Sequence, residues 1–142
     1  MIEARMLHQY DIPLIMKTLS HFHNREGLEE ELQNQVGLIS WVVKGPDDTI
    51  GFAYGFHAVN PGVYEVWAVN TTNFSKYKLA YTRYMKSKLD FALSTGVARR
   101  IQIYTRLDKG LDKWAKALGF TKEGVHPKLG PNSEDMVSWG RV

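Results

Sequence analysis

The sequence contains no cysteine, which excludes disulfides, a thiol nucleophile and thiolate metal sites. That composition fits a reducing compartment, so the cytoplasm is the expected location. No run is long and apolar enough to span a bilayer, and the N-terminus lacks a signal-peptide pattern. Neither sign of charge dominates. Eighteen Lys and Arg against fifteen Asp and Glu leave +3, a surplus that permits a polyanionic partner without requiring one. There is no internal repeat and no low-complexity segment. With 44% hydrophobic and 23% charged residues, the chain reads as one globular domain over residues 1–142, long enough to bury a substantial core.

Taken in order, residues 1–7 form a short strand with weak alternation. Asp11 is placed to cap a helix, with Pro13 in its first turn, and Ile12, Leu14, Ile15, Leu19 and Phe22 supply that helix's apolar positions. Residues 21–25 are a polar break. A shorter helix follows near residues 28–35, with Glu29, Glu30 and Glu31 where the dipole favours acids; these read as a solvated face. Residues 37–44, 50–59 and 63–69 are three strands separated by turns at Pro46-Asp47-Asp48 and Asn60-Pro61-Gly62. They read as an antiparallel meander.

The third of these strands opens the segment around which the chain is organised. It leads through a polar loop, residues 70–73, into a helix over about residues 75–94. Tyr77, Tyr81, Met85, Leu89 and Ala92 make one apolar stripe on that helix. Gly96 is placed to end it in a left-handed conformation, and residues 100–105 alternate as the next strand. Strand, helix and strand make a βαβ unit, so the two strands are expected to be parallel. Ligands in such units bind beyond the carboxyl end of the first strand, beside the helix N-terminus, which points to residues 69–80. Asp108 then caps a helix over about 109–118, which Gly119 ends. Residues 120–125 and 136–142 form a final antiparallel pair. The order β-α-α-β-β-β-α-β-α-β-β is that of an α/β domain with a mixed sheet.

This order, together with Leu118-Gly119-Phe120 at the end of the last helix and Gly124 in the strand that follows, resembles the GNAT superfamily of N-acetyltransferases. The segment from Tyr64 through Glu65, Val66, Trp67 and Ala68 to Val69 is similar to the central strand of that fold. The resemblance implies a βαβ unit whose parallel strands splay at their carboxyl ends, and acetyl-CoA as cofactor. It places an Arg/Gln-x-x-Gly-x-Gly/Ala loop after the strand to receive the pyrophosphate. The matching positions here are Ser75, Lys76, Tyr77, Lys78, Leu79 and Ala80, of which only Ala80 fits; there is no glycine. The family's frequent tyrosine acid falls on Ala115. Its frequent carboxylate base falls on Glu65, and a backbone N–H near Trp67, Ala68 and Val69 would polarise the acyl carbonyl.

Two functions stand side by side. The departures point to a divergent acetyltransferase-fold protein with weakened or lost acetyl-CoA binding. Such a chain is similar to phage-encoded virion or head-assembly proteins, which implies a protein partner in an assembly and a place in the virion. The alternative is an active acyl-CoA-dependent N-acyltransferase. An amine-bearing substrate would attack the thioester while Glu65, through water, takes the proton. A third and weaker reading has nucleic acid bound through Lys76, Arg83 and Lys86 on the long helix. Glu65 could equally be a surface acid, and His57 on the meander reads as a half-buried strand histidine rather than its partner. His21 and His23, with His8 and Glu26 near in sequence, lack a fixed third ligand, so no metal site is expected.

Overall fold

The computed structural model describes residues 1–21 and 23–142, and its strands and helices follow the order read from the sequence. They are β1 (Glu3–Met6), α1 (Asp11–Lys17), α2 (Leu28–Gln35), β2 (Ser40–Lys44), β3 (Ile50–Asn60) and β4 (Val63–Asn70), followed by α3 (Lys78–Ser94), β5 (Arg100–Arg106), α4 (Lys109–Ala117), β6 (Thr121–His126) and β7 (Met136–Arg141). One seven-stranded sheet runs β1-β2-β3-β4-β5-β7-β6. β4 and β5 are parallel, whereas β1 with β2, β2 with β3, β5 with β7 and β6 with β7 are antiparallel. The β4–β5 register covers Val63 with Arg100, Tyr64 with Ile101 and Glu65 with Gln102. Both strands continue past their last paired residues.

By contacts the chain forms two compact units. One comprises residues 1–57 and 67–81, the other residues 58–66 and 82–142. In the first, Leu7, Ile12, Ile15, Leu32, Val42 and Val69 belong to a cluster of buried side chains. Beside them in sequence order, Phe52, Phe74 and Tyr81 form an aromatic triple with centroids 5.4–5.7 Å apart. Tyr81 is fully buried, and burial, with Asp47 and Tyr77, pushes its hydroxyl up to about 12. Its ring lies against Gly45 and Gly51, and a methyl group on Gly45 would sit 2.6 Å from the hydroxyl. Those two strand-end positions must therefore be glycine for the ring to fit. In the second unit, Trp139 is fully buried and its indole N–H donates to Thr105 Oγ1 at 3.0 Å. Met85, Leu89, Ile101 and Val137 are also buried there, the first two on the helical stripe and Ile101 on the alternating strand that the sequence marked.

Three expectations need correction. Asp11 is not the cap of α1; it is the helix's first residue, and its buried carboxylate is held by Arg5 and by the backbone N–H of His8. α1 stops at Lys17 rather than continuing through Leu19. The carbonyl of Thr18 accepts from Thr72 N–H at 2.7 Å and Leu19 makes an isolated bridge with Thr71, so the chain is extended there. Phe22, assigned to the same helix by its spacing, lies outside the described residues. Third, α3 begins at Lys78, and a 3-10 turn, Thr72–Tyr77, occupies the three preceding positions given to the helix.

Candidate functional site

The loop that follows β4 fixes what this region can bind. Thr71 caps the 3-10 turn: its hydroxyl accepts from Asn73 N–H at 3.1 Å and lies 2.6 Å from the Ile50 carbonyl oxygen. Five consecutive backbone N–H groups then find acceptors inside the protein. Asn70 donates to His23 Nε2 at 2.9 Å, and Thr71 to the Gly51 carbonyl at 3.0 Å. Thr72 donates to the Thr18 carbonyl at 2.7 Å, Asn73 to Thr71 Oγ1 and Phe74 to the Thr71 carbonyl at 3.1 Å. The 3-10 turn passes into α3 with Lys78 already right-handed helical. Residues 75–77 therefore belong to the 3-10 turn and residues 78–80 to the first turn of α3.

The side chains of the predicted loop separate accordingly. Ser75, Lys76, Lys78 and Leu79 are exposed, while Tyr77 and Ala80 are half-buried. Tyr77 packs edge-on to Tyr81 at 6.1 Å, so the tyrosine ladder on this helix is packing. Lys76 is bound to Asp47 at 3.1 Å. Asp47 also accepts from the Thr49 hydroxyl and N–H, and these bonds, with Lys76, hold its carboxyl below the usual range. The Pro46-Asp47-Asp48 turn signal was visible in the sequence; its role as the internal anion for Lys76 was not, because twenty-nine positions separate the two.

On β4, Glu65 is half-buried and sits in register with Gln102. Trp67 and Ala68 are half-buried, Val69 is buried, and all three lie beyond the last residue paired with β5. The Trp67 indole N–H is buried without a hydrogen-bond partner and packs against Gly55, where a methyl group would sit 2.5 Å from it. His57 is exposed rather than half-buried. Ala115, at the family's tyrosine position, is fully buried. His23 uses Nε2 on Asn70, and His8 Nδ1 accepts from Tyr10 N–H at 3.2 Å. Among the described residues no three His, Asp or Glu side chains are arranged to hold a metal ion. A cavity of about 350 Å³ at the end of β5 is lined by Arg106, Leu107, Asp108, Glu134 and Asp135, none of which belongs to the predicted site.

No protein-family model matches the chain, and no curated protein matches it in sequence. Solved structures do match. A GNAT-family acetyltransferase from Bacillus anthracis superposes with a TM-score of 0.77 at 14% identity, covering 99% of this chain and 94% of that one. The fold is that of the GNAT acetyltransferases. The ribosomal α-N-protein acetyltransferase RimL, in complex with coenzyme A, gives a TM-score of 0.75 at 14% identity, with 99% of this chain and 93% of that one covered. A variant of the spermidine N-acetyltransferase SpeG of Vibrio cholerae gives 0.73 at 14%, with 99% and 92% covered.

The GNAT fold raises the question of coenzyme A. A pyrophosphate at a helix start needs free backbone N–H groups and room for close approach, which glycine supplies. Here the donors of residues 70–74 have internal acceptors, those of residues 75–80 are helical, and Lys76 has its own carboxylate. The residues present do not fit the group.

Proposed function

We propose that this protein is a binding or assembly module built on the GNAT fold and does not carry out acetyl-CoA-dependent transfer. The observation that carries this reading is the run of five backbone N–H groups from the last residue of β4 through Phe74, each already hydrogen-bonded within the protein. Opening that run to a pyrophosphate would unpair acceptors on the buried Gly51 and Thr71 and the half-buried Thr18 and His23, at about 1–3 kcal/mol for each buried one. A protein partner in an assembly, and a place in a virion or in the cytoplasm, follow from this reading. The competing reading is transfer of an acetyl group to an amine. Its support is Glu65, half-buried on β4, with Trp67 to Val69 beyond the paired part of the strand.

Ligand-induced stabilisation separates the two. A ligand that binds only the folded state at ~100 times its dissociation constant adds roughly 2.7 kcal/mol, which for a chain of this size shifts the melting temperature by several degrees. The expected result with millimolar acetyl-CoA is no shift, in the natural protein and in Lys76→Glu/Lys78→Glu alike. A shift of several degrees that the double variant abolishes would establish the transferase reading instead.

A further inference from the structure

The lysines of α4 stand exposed in a row, whereas Lys76, Lys86 and Lys88 on α3 and the turn before it have partners; Lys17, Lys122, Lys128 and, on α3, Arg83 are exposed singly. Along α3 and the turn before it, Lys76 is bound to Asp47, Lys86 to Asp90 at 2.9 Å, and Lys88 lies 5.3 Å from the Tyr84 ring centre. On α4, Lys109, Lys113 and Lys116 are exposed, and none has an ion pair among the described residues. Their i, i+4, i+7 spacing puts them within an arc of about 60° on one side of the helix. Asp112, three residues after Lys109 and four before Lys116, has Oδ1 buried and offsets part of the row's charge, leaving a net positive face. The flanking exposed positions are Gly110 and Ala117, too small to hold a partner away.

The row is also rigid. Asp108 caps the helix by accepting from Gly110 and Leu111 N–H at 2.8 and 3.1 Å. At the other end Arg141 donates to the Leu118 carbonyl at 3.0 Å, and Ala115 and Leu118 are buried beneath. The surrounding unit, residues 58–66 and 82–142, carries twelve Lys and Arg against seven Asp and Glu, a balance of +5. The other unit has six against eight, or −2.

We propose that the α4 lysine row binds the phosphate backbone of double-stranded nucleic acid without reading its sequence. At a rise of about 1.5 Å per residue, three lysines span roughly 10 Å of helix. One strand of a duplex presents about three phosphates over that length, at about 3.4 Å each. No aromatic side chain lies among them to stack a base, as single-strand binding uses, and no Asn, Gln or Arg is on the row to read base edges. An acidic protein would supply charge but not this regular spacing. The proposal does not depend on whether acetyl-CoA binds.

The test is fluorescence anisotropy of a labelled random-sequence DNA duplex, titrated without acetyl-CoA at several salt concentrations. Three phosphate contacts predict a slope of log K against log salt near about −2.7, and so a loss of about 40-fold between roughly 50 and 200 mM salt. Lys113→Gln alone should make the slope shallower by about 0.9. The combined Lys109→Gln/Lys113→Gln/Lys116→Gln variant should lose binding while keeping its circular dichroism spectrum and melting temperature. No binding at low salt, or a triple variant that binds with unchanged affinity and slope, would overturn the proposal. So would labelled poly-glutamate binding more tightly than the duplex, which would assign the row to an acidic protein.

Discussion

Asp11 is only 4% exposed, and it keeps its charge there because three donors surround it. Arg5 approaches with both terminal nitrogens, at 2.7 and 2.6 Å, and His8 N–H donates at 2.9 Å. Burial alone pushes the carboxyl up; the Arg5 hydrogen bonds, the His8 N–H and the Arg5 charge together outweigh it and hold the group below its ordinary 3.8. A carboxyl with a lowered folded pKa contributes stability that is present above its unfolded value and lost as pH falls through the folded one. Arg5 is 44% exposed along its side chain, so water screens part of the attraction. Asp11→Asn should cost about 2 kcal/mol at neutral pH. It should also flatten the acid limb of a stability–pH curve below about pH 4, where the natural protein loses this contribution. Urea melts across that range give the measurement; an unchanged acid limb would show that the pair adds nothing.

Elements were legible in the sequence where one chain segment dictated its own structure. α2 has the predicted span, Asp108 caps α4, and Gly96 and Gly119 adopt φ of +78° and +91° behind α3 and α4. The parallel pairing of β4 with β5 followed from the βαβ pattern. Legibility failed where distant residues decide the outcome. The periodicity of α1 extends to Leu19, but Thr71 and Thr72, more than fifty positions away in sequence, capture residues 18 and 19. The start of α3 was misplaced for the same reason. Thr71, chosen from four polar candidates by its contact with β3, sets the 3-10 turn. Thr71→Val keeps the shape and removes the hydroxyl. It leaves the Asn73 N–H and the Ile50 carbonyl without this partner, so the loss should be about 2 kcal/mol. The expected reading is a lower urea midpoint with unchanged m; an unchanged midpoint would mean that the cap is replaced by water.

At the scale of the whole molecule, the fold persists without the motif that usually accompanies it. TM-scores of 0.73–0.77 at 14% identity show that a very different sequence specifies the same fold. Fold alone therefore does not assign chemistry. The loop differs from the family's in two separable respects: it lacks glycine at residues 75–80, and its donors are already engaged. Ser75→Gln with Lys78→Gly supplies the family's spacing around Ala80 without touching residues 70–74. If missing glycine were the whole defect, acetyl-CoA would then raise the melting temperature by several degrees. The engaged donors predict otherwise. Residues 70–74 would remain bonded to His23, Gly51, Thr18 and Thr71, and glycine in the first turn of α3 would cost about 1 kcal/mol. The variant should therefore melt a few degrees lower and still show no response to acetyl-CoA. A response would place the defect in residues 75 and 78 rather than in the engaged donors of residues 70–74, and would overturn the reading that those donors block the cofactor.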